Sequence, residues 1–315
     1  MRTSGNTGTR VASATEGIGE AASLLAAGGL VALPTETVYG LGADALNPGA
    51  CARIFEAKDR PLSDPLIVHI PSIEWLERLA VVPDVARLLA ERFWPGPLTL
   101  VLPRRTIVPD IVTAGQETVA LRMSAHPVFQ GVLKAFGGPV AAPSANRFGR
   151  ISPTSAEHVL AELEGRIPLI LDGGPCRHGI ESTIALAAED GLHILRHGPV
   201  TAEELAVFGP VHGAVAGISA PGGLLSHYAP RTPLRIGARS AVAKAGLLAW
   251  KSSGEGFARV EFLSRGQDPA EAAANLYGAM RRLDEAGLEE IIAEPLPETG
   301  LGAAIMERLR KASAR

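Results

Sequence analysis

Two cationic side chains stand where they could bind an anion. Lys58 and Arg60 flank the end of a predicted helix, immediately before Pro61. As a pair they would supply a point charge and a planar fork for phosphate oxygens. Cations at a helix end also simply complement the helix dipole. These two residues alone leave both interpretations open.

A second polar segment contains Thr35, Glu36 and Thr37 and follows the apolar residues 30–33. Its hydroxyl groups could contact a ligand at the end of a buried strand, or could cap a helix that begins there. His69 ends another apolar stretch, and it is either a ligand-binding group or a core histidine. Glu36 on its own does not distinguish a metal ligand from a structural carboxylate.

Small polar residues repeat this arrangement further along the chain. Ser144 and Asn146 follow the apolar residues 139–142, and Ser152 comes a little later. Small hydroxyl and amide side chains let a flat ligand approach the backbone closely. They are equally typical of turns, because they form hydrogen bonds to their own backbone.

Two arginines complete the set of candidate polar residues: Arg122 and Arg196 each end a predicted strand. Glu181 and Ser182 immediately precede another predicted strand. Ligand crevices in α/β sheets commonly lie at strand ends. Cations dominate these candidate groups, so we expect an anionic ligand such as a nucleotide. From its residues alone the sequence predicts a phosphate-binding α/β enzyme.

Familiar motifs do not account for these groups. Residues 40–45 fit the loose dinucleotide pattern Gly-x-Gly-x-x-Gly/Ala, but a polar segment separates them from the preceding strand, whereas the true motif lies in the turn directly after it. A Walker phosphate loop, a nucleophile elbow and a zinc-protease helix are absent. Cys51 and Cys176 are too few for a disulfide framework or a metal cage. We therefore predict no metal held by the protein's own side chains.

Helices and strands that could position these groups alternate irregularly. Apolar spacing and flanking Gly or Pro predict helices at residues 16–27, 50–58, 73–79, 83–92, 154–163, 269–287 and 301–314. Short apolar runs predict strands at residues 30–33, 66–70, 98–102, 119–122, 139–142, 167–171, 183–187, 193–196, 235–236 and 258–263. Several strands follow one another without a helix, which favours a mixed sheet flanked by helices over a parallel one.

A change of composition divides the chain into three parts. Residues 208–233 are rich in Gly, Pro and Ala, which is typical of a linker. The expected organisation is a main α/β domain at residues 15–207, this linker, and a small second α/β domain at residues 234–315.

Overall composition excludes several classes of protein. The chain has 315 residues, of which 46% are hydrophobic, so it can bury a substantial core. A net charge of -3 gives no general attraction to nucleic acid. Residues 1–13 form a polar tail without the apolar run of a signal peptide, and no stretch approaches the ~20 apolar residues of a membrane span. We expect a cytoplasmic protein, and a monomer.

In order and spacing, the polar segments resemble those of the threonylcarbamoyl-AMP synthase family, whose catalytic domain is called YrdC-like. The matching stretches are residues 34–42, 54–69, 93–102, 119–123, 139–152 and 170–198. The segment Ser226-His227-Tyr228-Ala229-Pro230 and the tail resemble the longer, two-domain branch of that family. The resemblance implies an open, twisted mixed sheet with a positively lined cavity. It also implies a linker that folds over the active site and a small Rossmann-like C-terminal domain.

The same resemblance assigns provisional roles to residues. Threonine would lie near Thr35, His69, Arg122 and Ser182, with its carboxylate on the Arg122 fork. The phosphates of ATP would meet Lys58 and Arg60, which would carry the catalytic role. The nucleotide side would be lined by Thr118, Ser144, Asn146, Ser152 and Arg196, with Tyr228 of the linker as a cover.

The implied reaction joins L-threonine, bicarbonate and ATP into threonylcarbamoyl-AMP and pyrophosphate, with Mg²⁺ accompanying the ATP. The product would pass to the transferase machinery that makes threonylcarbamoyladenosine in tRNA; whether this chain itself binds tRNA is left open. Two other classes compete with this interpretation. An RNA-binding module would need more basic and aromatic residues than the chain has. A carbamoyl-transfer enzyme of the same fold would need acylphosphatase-like or zinc-finger segments, for which this chain has no room.

Overall fold

The computed structural model describes residues 8–215, 217, 221, 227–237 and 244–314. Residues 222–226 of the predicted linker, with Ser226 of its motif, lie outside the described residues. So do most of the N-terminal tail and Arg315.

Strands form two separate sheets. In chain order they are β1 (Arg10–Ser13), β2 (Val31–Leu33), β3 (Gly40–Asp44), β4 (Ile67–His69), β5 (Leu98–Pro103), β6 (Thr118–Arg122), β7 (Val140–Ala141), β8 (Leu169–Asp172), β9 (Thr183–Ala188), β10 (Gly191–Arg196), β11 (Val211–His212), β12 (Leu234–Ile236), β13 (Ala245–Ala249), β14 (Arg259–Phe262) and β15 (Glu290–Ala293).

Helices connect and cover these strands. They are α1 (Ile18–Ala26), α2 (Pro48–Lys58), α3 (Glu74–Leu79), α4 (Asp84–Phe93), α5 (Asp110–Thr113), α6 (Pro127–Phe136), α7 (Ala156–Leu163), α8 (Ala202–Leu205), α9 (Pro269–Asp284) and α10 (Leu301–Ser313). A 3₁₀ turn, Ala206–Phe208, follows α8. No helix in the described part of the chain is long and apolar enough to cross a membrane.

The larger sheet has eleven strands in the order β1-β8-β2-β3-β7-β4-β6-β5-β9-β10-β11. It is mixed: β4 and β6 run parallel, whereas β5 pairs with β6 in the antiparallel direction. The smaller sheet has the order β12-β15-β13-β14, and its pairs are all parallel. The predicted fold class is confirmed: a large mixed sheet flanked by helices, with a second, smaller α/β unit.

Register brings the candidate groups to one region of the larger sheet. His69 at the end of β4 is paired with Arg122 at the end of the parallel strand β6. On the other side of β6, Arg122 is paired with Thr99 of β5. Leu98 of β5 is in turn paired with Thr183 at the start of β9, so Ser182 lies beside the same strand ends.

Helix α2 sets the direction of Lys58 and Arg60. The side chain of Asn47 accepts a hydrogen bond from the Ala50 amide at 3.1 Å and so caps the start of the helix, which has Pro48 in its first turn. At the other end Asp59 adopts the left-handed conformation with φ of 53°, which stops the helix directly after Lys58.

Several elements differ from the prediction. The polar tail contains β1, an edge strand that pairs with β8. The glycine-rich residues after the Thr35 segment form β3 in the middle of the sheet, so the dinucleotide pattern there is not a phosphate-binding turn. Helix α6 and the strands β13 and β15 were not predicted, although each carries buried residues.

Candidate functional site

One cavity lies beside the strand ends that register brings together. Its wall includes Arg122 and His69 from the sheet and Pro221, His227 and Tyr228 from the region between the two α/β units. Its volume is about 40 Å³, which accommodates a few water molecules and not a nucleotide.

Most of the residues predicted to bind ligand line this cavity. They are Thr35, Arg60, His69, Arg122, Ser144, Ser182, Arg196 and Tyr228. The fold therefore brings together eight of the predicted residues, which lie at separate positions between residues 35 and 228 of the chain.

Four predicted residues do not line the cavity. Lys58 lines a neighbouring cleft of about 320 Å³. Thr118 begins β6, on the same face as Arg122 but at the opposite end of the strand. Asn146 donates from its amide to the carbonyls of Arg147 and Arg150 at 2.8 and 3.0 Å, and the Ser152 side chain is fully buried.

Arg122 is held by a buried carboxylate that the sequence analysis did not assign. Its guanidinium donates to Glu36 Oε1 at 2.6 Å, to Thr37 Oγ1 at 2.9 Å and to the Gly96 carbonyl at 3.3 Å. Ser124 donates to the other oxygen of Glu36 at 2.5 Å. Three of the five N–H donors of Arg122 are therefore engaged by residues that the structure describes.

The protonation states of Glu36 and of the neighbouring His69 are fixed at neutral pH. Burial by itself would raise the pKa of Glu36, but Arg122 and the hydrogen bond from Ser124 outweigh burial and lower this pKa from 4.5 to about 2. Burial and the nearby Arg122 charge lower the pKa of His69 from 6.5 to about 3, so its ring is neutral.

Thr35 shapes the turn that carries Glu36. Its hydroxyl donates to the Val38 carbonyl at 2.6 Å and accepts from the amides of Thr37 and Val38 at 3.0 and 3.2 Å. The alternative of a helix cap is wrong, because β3 and not a helix follows this turn. Thr37 also lines the cavity; the sequence analysis noted it in this polar segment but assigned it no ligand contact.

Lys58 lies in the wall between the cavity and the neighbouring cleft. Its ammonium group donates to the backbone carbonyls of Ser144 and Asn146. Burial, and to a lesser extent the charge of Arg60, lowers the pKa of Lys58 well below its usual value. A negatively charged ligand at this wall would raise this pKa again.

The other two cations have fixed orientations. Arg60 forms an ion pair with Asp64 at 2.9 Å and donates to the Pro65 carbonyl at 2.8 Å. Arg196 donates to both the carbonyl and the hydroxyl oxygen of Ser182 at 3.0 Å. The Ser182 hydroxyl also contacts the Thr99 hydroxyl at 2.8 Å.

Three polar groups on the cavity wall have no hydrogen-bond partner among the described residues. They are Nδ1 of His69, Nδ1 of His227 and the hydroxyl of Tyr228. Buried polar atoms without partners are costly, so native structures rarely keep them unless a ligand or water completes them. We therefore take this cavity as the candidate ligand site.

Glu181 is a carboxylate in the cavity wall, and residues of the smaller α/β unit hold it. The Tyr277 hydroxyl donates to Glu181 Oε2 at 2.9 Å, and Arg308 Nε donates to the same oxygen at 3.1 Å. Sequence reasoning noted Glu181 but missed both partners. Their positions in ordinary helical patterns gave no signal.

The described residues contain no group of three His, Cys, Asp or Glu side chains that could hold a metal ion. Glu181 in the cavity wall and Glu36 behind Arg122 are each already paired with an arginine.

The chain is similar to characterised proteins along almost its whole length. It is 45% identical to the threonylcarbamoyl-AMP synthase of Pyrococcus abyssi (strain GE5 / Orsay), and the match covers 93% of each chain. It is 44% identical to the threonylcarbamoyl-AMP synthase of Bacillus subtilis (strain 168), covering 94% of this chain and 92% of the relative.

Structure and family comparisons agree with these relatives. The crystal structure of P. abyssi Sua5 complexed with L-threonine matches with a TM-score of 0.88 at 43% identity, covering 94% of both chains. The Sua5_yciO_yrdC family model, whose description is "Telomere recombination", matches residues 23–198. The model of the threonylcarbamoyl-AMP synthase C-terminal domain matches residues 200–314.

The buried Glu36–Arg122 pair predicts a pH-dependent loss of stability. Because the folded-state pKa of Glu36 is lowered, its contribution is fully present above pH 4.5 and is lost as the pH falls toward 2. We expect the unfolding free energy of wild type relative to Glu36→Gln to shrink by about 2 kcal/mol between pH 6 and pH 3. Urea unfolding followed by circular dichroism at both pH values measures this difference.

Glu91→Gln is the matched control, because Glu91 is exposed on α4. Its difference from wild type is expected to stay within about 0.5 kcal/mol at both pH values. A difference between wild type and Glu36→Gln that is the same at pH 6 and pH 3 would contradict the assigned charge state.

Proposed function

Because the chain belongs to the threonylcarbamoyl-AMP synthase family, we propose that it converts L-threonine, bicarbonate and ATP into threonylcarbamoyl-AMP and pyrophosphate. The observation that carries this proposal for the chain itself is the cavity in which buried cations meet polar groups that lack partners. Such a cavity suits an anionic ligand with several hydrogen-bonding atoms.

In the proposed mechanism the neutral threonine amine attacks carbon dioxide, which bicarbonate supplies by losing hydroxide, so that an N–C bond forms. The nitrogen then gives up a proton, which leaves an N-carboxylate; with bicarbonate as the source, this proton and the hydroxide depart as water. An oxygen of this carboxylate attacks the α-phosphorus of ATP. The bond from that phosphorus to the bridging oxygen of the β-phosphate breaks, and pyrophosphate leaves. No covalent intermediate with the protein is needed, so catalysis rests on positioning and on stabilising charge.

Threonine would occupy the side of the cavity formed by Thr35, His69, Arg122 and Ser182. Arg122 keeps two N–H donors that no described residue engages, which is the number required to hold a carboxylate at both oxygens. The neutral ring of His69 offers a hydrogen-bonding nitrogen. The L-threonine complex of the P. abyssi relative supports this choice of amino acid.

ATP would occupy the side formed by Arg60, Ser144, Arg196 and Tyr228, with its phosphates reaching Lys58. In this proposal Thr118, Asn146 and Ser152 are outer members of the nucleotide site: Asn146 holds the loop that follows Ser144, and Thr118 lies further along the face that carries Arg122. Lys58 and Arg60 would stabilise the charge that develops on the departing pyrophosphate.

Magnesium enters the proposal only as the counter-ion of ATP. The described residues form no cluster of three metal-ligating side chains, and Mg²⁺ commonly binds through substrate phosphates and water. The cytoplasm, and a tRNA-modifying transferase as recipient of the product, belong to the same proposal.

Closure of the site is also part of the proposal. We take residues 15–207 as the catalytic domain, 208–233 as a linker over the active site and 234–315 as a small C-terminal domain. Tyr228 covers the cavity, where its ring contacts those of His227 and Tyr277 with centroids 4.2 and 5.8 Å apart. A cavity of about 40 Å³ has to enlarge to admit ATP, so wall residues such as Tyr228 would move during each cycle.

The primary test is pyrophosphate release from ATP by the purified full chain. We expect release that requires both bicarbonate and L-threonine and that is much weaker with L-serine at the same concentration. A coupled pyrophosphatase assay, with product identified by mass spectrometry, measures this. Release that ignores threonine, or salt-sensitive RNA binding without turnover, would contradict the proposed function.

Lys58→Ala tests the phosphate contact. Loss of a donor to developing negative charge lowers the turnover number by about 10²–10³-fold in comparable sites. Lys134→Ala, at an exposed position of α6, is the matched control and is expected to keep wild-type turnover. Near-wild-type turnover of a folded Lys58→Ala variant would remove Lys58 from the mechanism.

Tyr228 variants test the cover. An adenylate exposed to water hydrolyses, so Tyr228→Ala is expected to lower the yield of threonylcarbamoyl-AMP per pyrophosphate released. Tyr228→Phe keeps the ring and should keep the yield. Equal yields for Tyr228→Ala and wild type, measured by chromatography after one turnover, would show that Tyr228 does not exclude water.

A further inference from the structure

The C-terminal helix α10 contacts two residues of the cavity wall, Glu181 and His227, and the residue that follows a third, Arg196. Arg308 reaches Glu181, which precedes β9, and it also donates to the His197 carbonyl directly after β10. The backbone carbonyl of Lys311 accepts a hydrogen bond from the His227 amide at 3.3 Å. A helix more than a hundred residues beyond the catalytic strands is thus bonded to the residues next to Ser182, Arg196 and Tyr228.

Arg308 is the centre of these contacts and is completely buried. Besides Oε2 of Glu181, it donates to the Glu181 carbonyl at 3.4 Å, and its guanidinium carbon lies 5.6 Å from the ring centre of Tyr228. One side chain therefore contacts both the wall and the cover of the cavity.

A neighbouring residue of the same helix fixes the same peptide from its other side. Glu307 Oε2 accepts a hydrogen bond from the His197 amide at 2.9 Å, while Arg308 donates to the His197 carbonyl. The backbone that follows Arg196 is thereby clamped at both its donor and its acceptor. The orientation of Arg196 depends on this backbone and on Ser182.

We propose that Arg308 is a positioning residue of the active site, through which the C-terminal domain holds Glu181, Arg196 and Tyr228 in the geometry that binds ATP and threonine. This inference rests on the proposed function. It gives the second domain a role in the active site, although no described residue of that domain's sheet lines the cavity.

Electrostatics supports a role beyond packing. Burial alone would raise the pKa of Glu181, but Arg308, and then Arg196, outweigh it and lower this pKa. The other titratable groups around Glu181 are Tyr277 of α9 and His227 and Tyr228 of the cover. Without Arg308 only Arg196 would remain as a cation beside the buried carboxylate, so the pKa of Glu181 would rise.

The test compares Arg308→Met, Arg308→Lys and the control Arg310→Met in the full chain. Arg310 is on the same helix, half-exposed and paired with Glu298 at the surface. We expect kcat/KM of Arg308→Met to fall about 10²-fold per folded molecule, as for other misplaced sites. Arg308→Lys should recover part of the loss because it keeps the charge, and Arg310→Met should match wild type.

The double variant Glu181→Gln/Arg308→Met keeps the inference testable if Arg308→Met alone fails to fold. Removing both partners leaves no unpaired buried charge, so this variant should fold even if Arg308→Met does not. Its kcat/KM is expected to be as low as that of Glu181→Gln alone, because the two residues act as one unit. Recovery to wild-type kcat/KM would overturn the inference, since Arg308 would then only neutralise Glu181.

A pH profile separates positioning from mere stability. Arg308→Met should gain an ionisation below neutral pH in its profile of kcat/KM, and both wild type and the double variant should lack it. A variant with a lower melting temperature but unchanged kcat, KM and pH profile would also overturn the inference.

Calorimetric measurement of ATP and L-threonine binding distinguishes a failure of the proposed function from a failure of the proposed role of Arg308. We expect Arg308→Met to bind both ligands about tenfold more weakly than wild type does, even if turnover is not observed. Wild type that binds both ligands without forming product would contradict the proposed function alone. Equal affinities in Arg308→Met and wild type would contradict the role of Arg308 alone.

Discussion

Burial of positive charge is the constraint that organises this protein. Five cationic side chains, Lys58, Arg60, Arg122, Arg196 and Arg308, are almost completely removed from solvent around one small cavity. Each would be prohibitively costly without partners, because desolvating a charge costs several kcal/mol. Those partners are supplied by the turn at Thr35, the loop after α2, the segment before β9 and the packing of the second α/β unit.

The hydrogen-bond partners of these cations are of two kinds, carboxylates and neutral oxygens. Arg60, Arg122 and Arg308 are matched with carboxylates, so their charge is already compensated. Among the described residues Lys58 and Arg196 donate their hydrogen bonds only to neutral oxygens. An incoming anion therefore gains most beside these two, which lie toward the proposed nucleotide side.

The sequence predicted the fold class and eight residues of the cavity wall because both are encoded locally. An apolar run that ends in His69 or Arg122 indicates at once a buried strand and a polar group at its end. β3 escaped prediction because Gly40 and Gly42 have poor strand propensity, yet an added Cβ at Gly42 would lie 3.0 Å from Val140. Tertiary packing, which local propensity does not contain, selects glycine there. The partners of Glu181 escaped for a related reason: Arg308 is separated from it by 127 residues, and spacing of that kind carries no information.

The Glu181–Arg308 contact makes the two α/β units one thermodynamic system. A ligand that binds the folded cavity and not the unfolded chain stabilises every part that must be folded for the cavity to exist. Helix α10 is such a part, and it packs on α9 and β12 of the smaller unit, so the smaller sheet shares the stabilisation. Occupancy of the cavity therefore makes local opening rarer in the strands of the smaller sheet, which lie away from the cavity. Protection of those strands from hydrogen exchange thus depends on whether the catalytic cavity is filled.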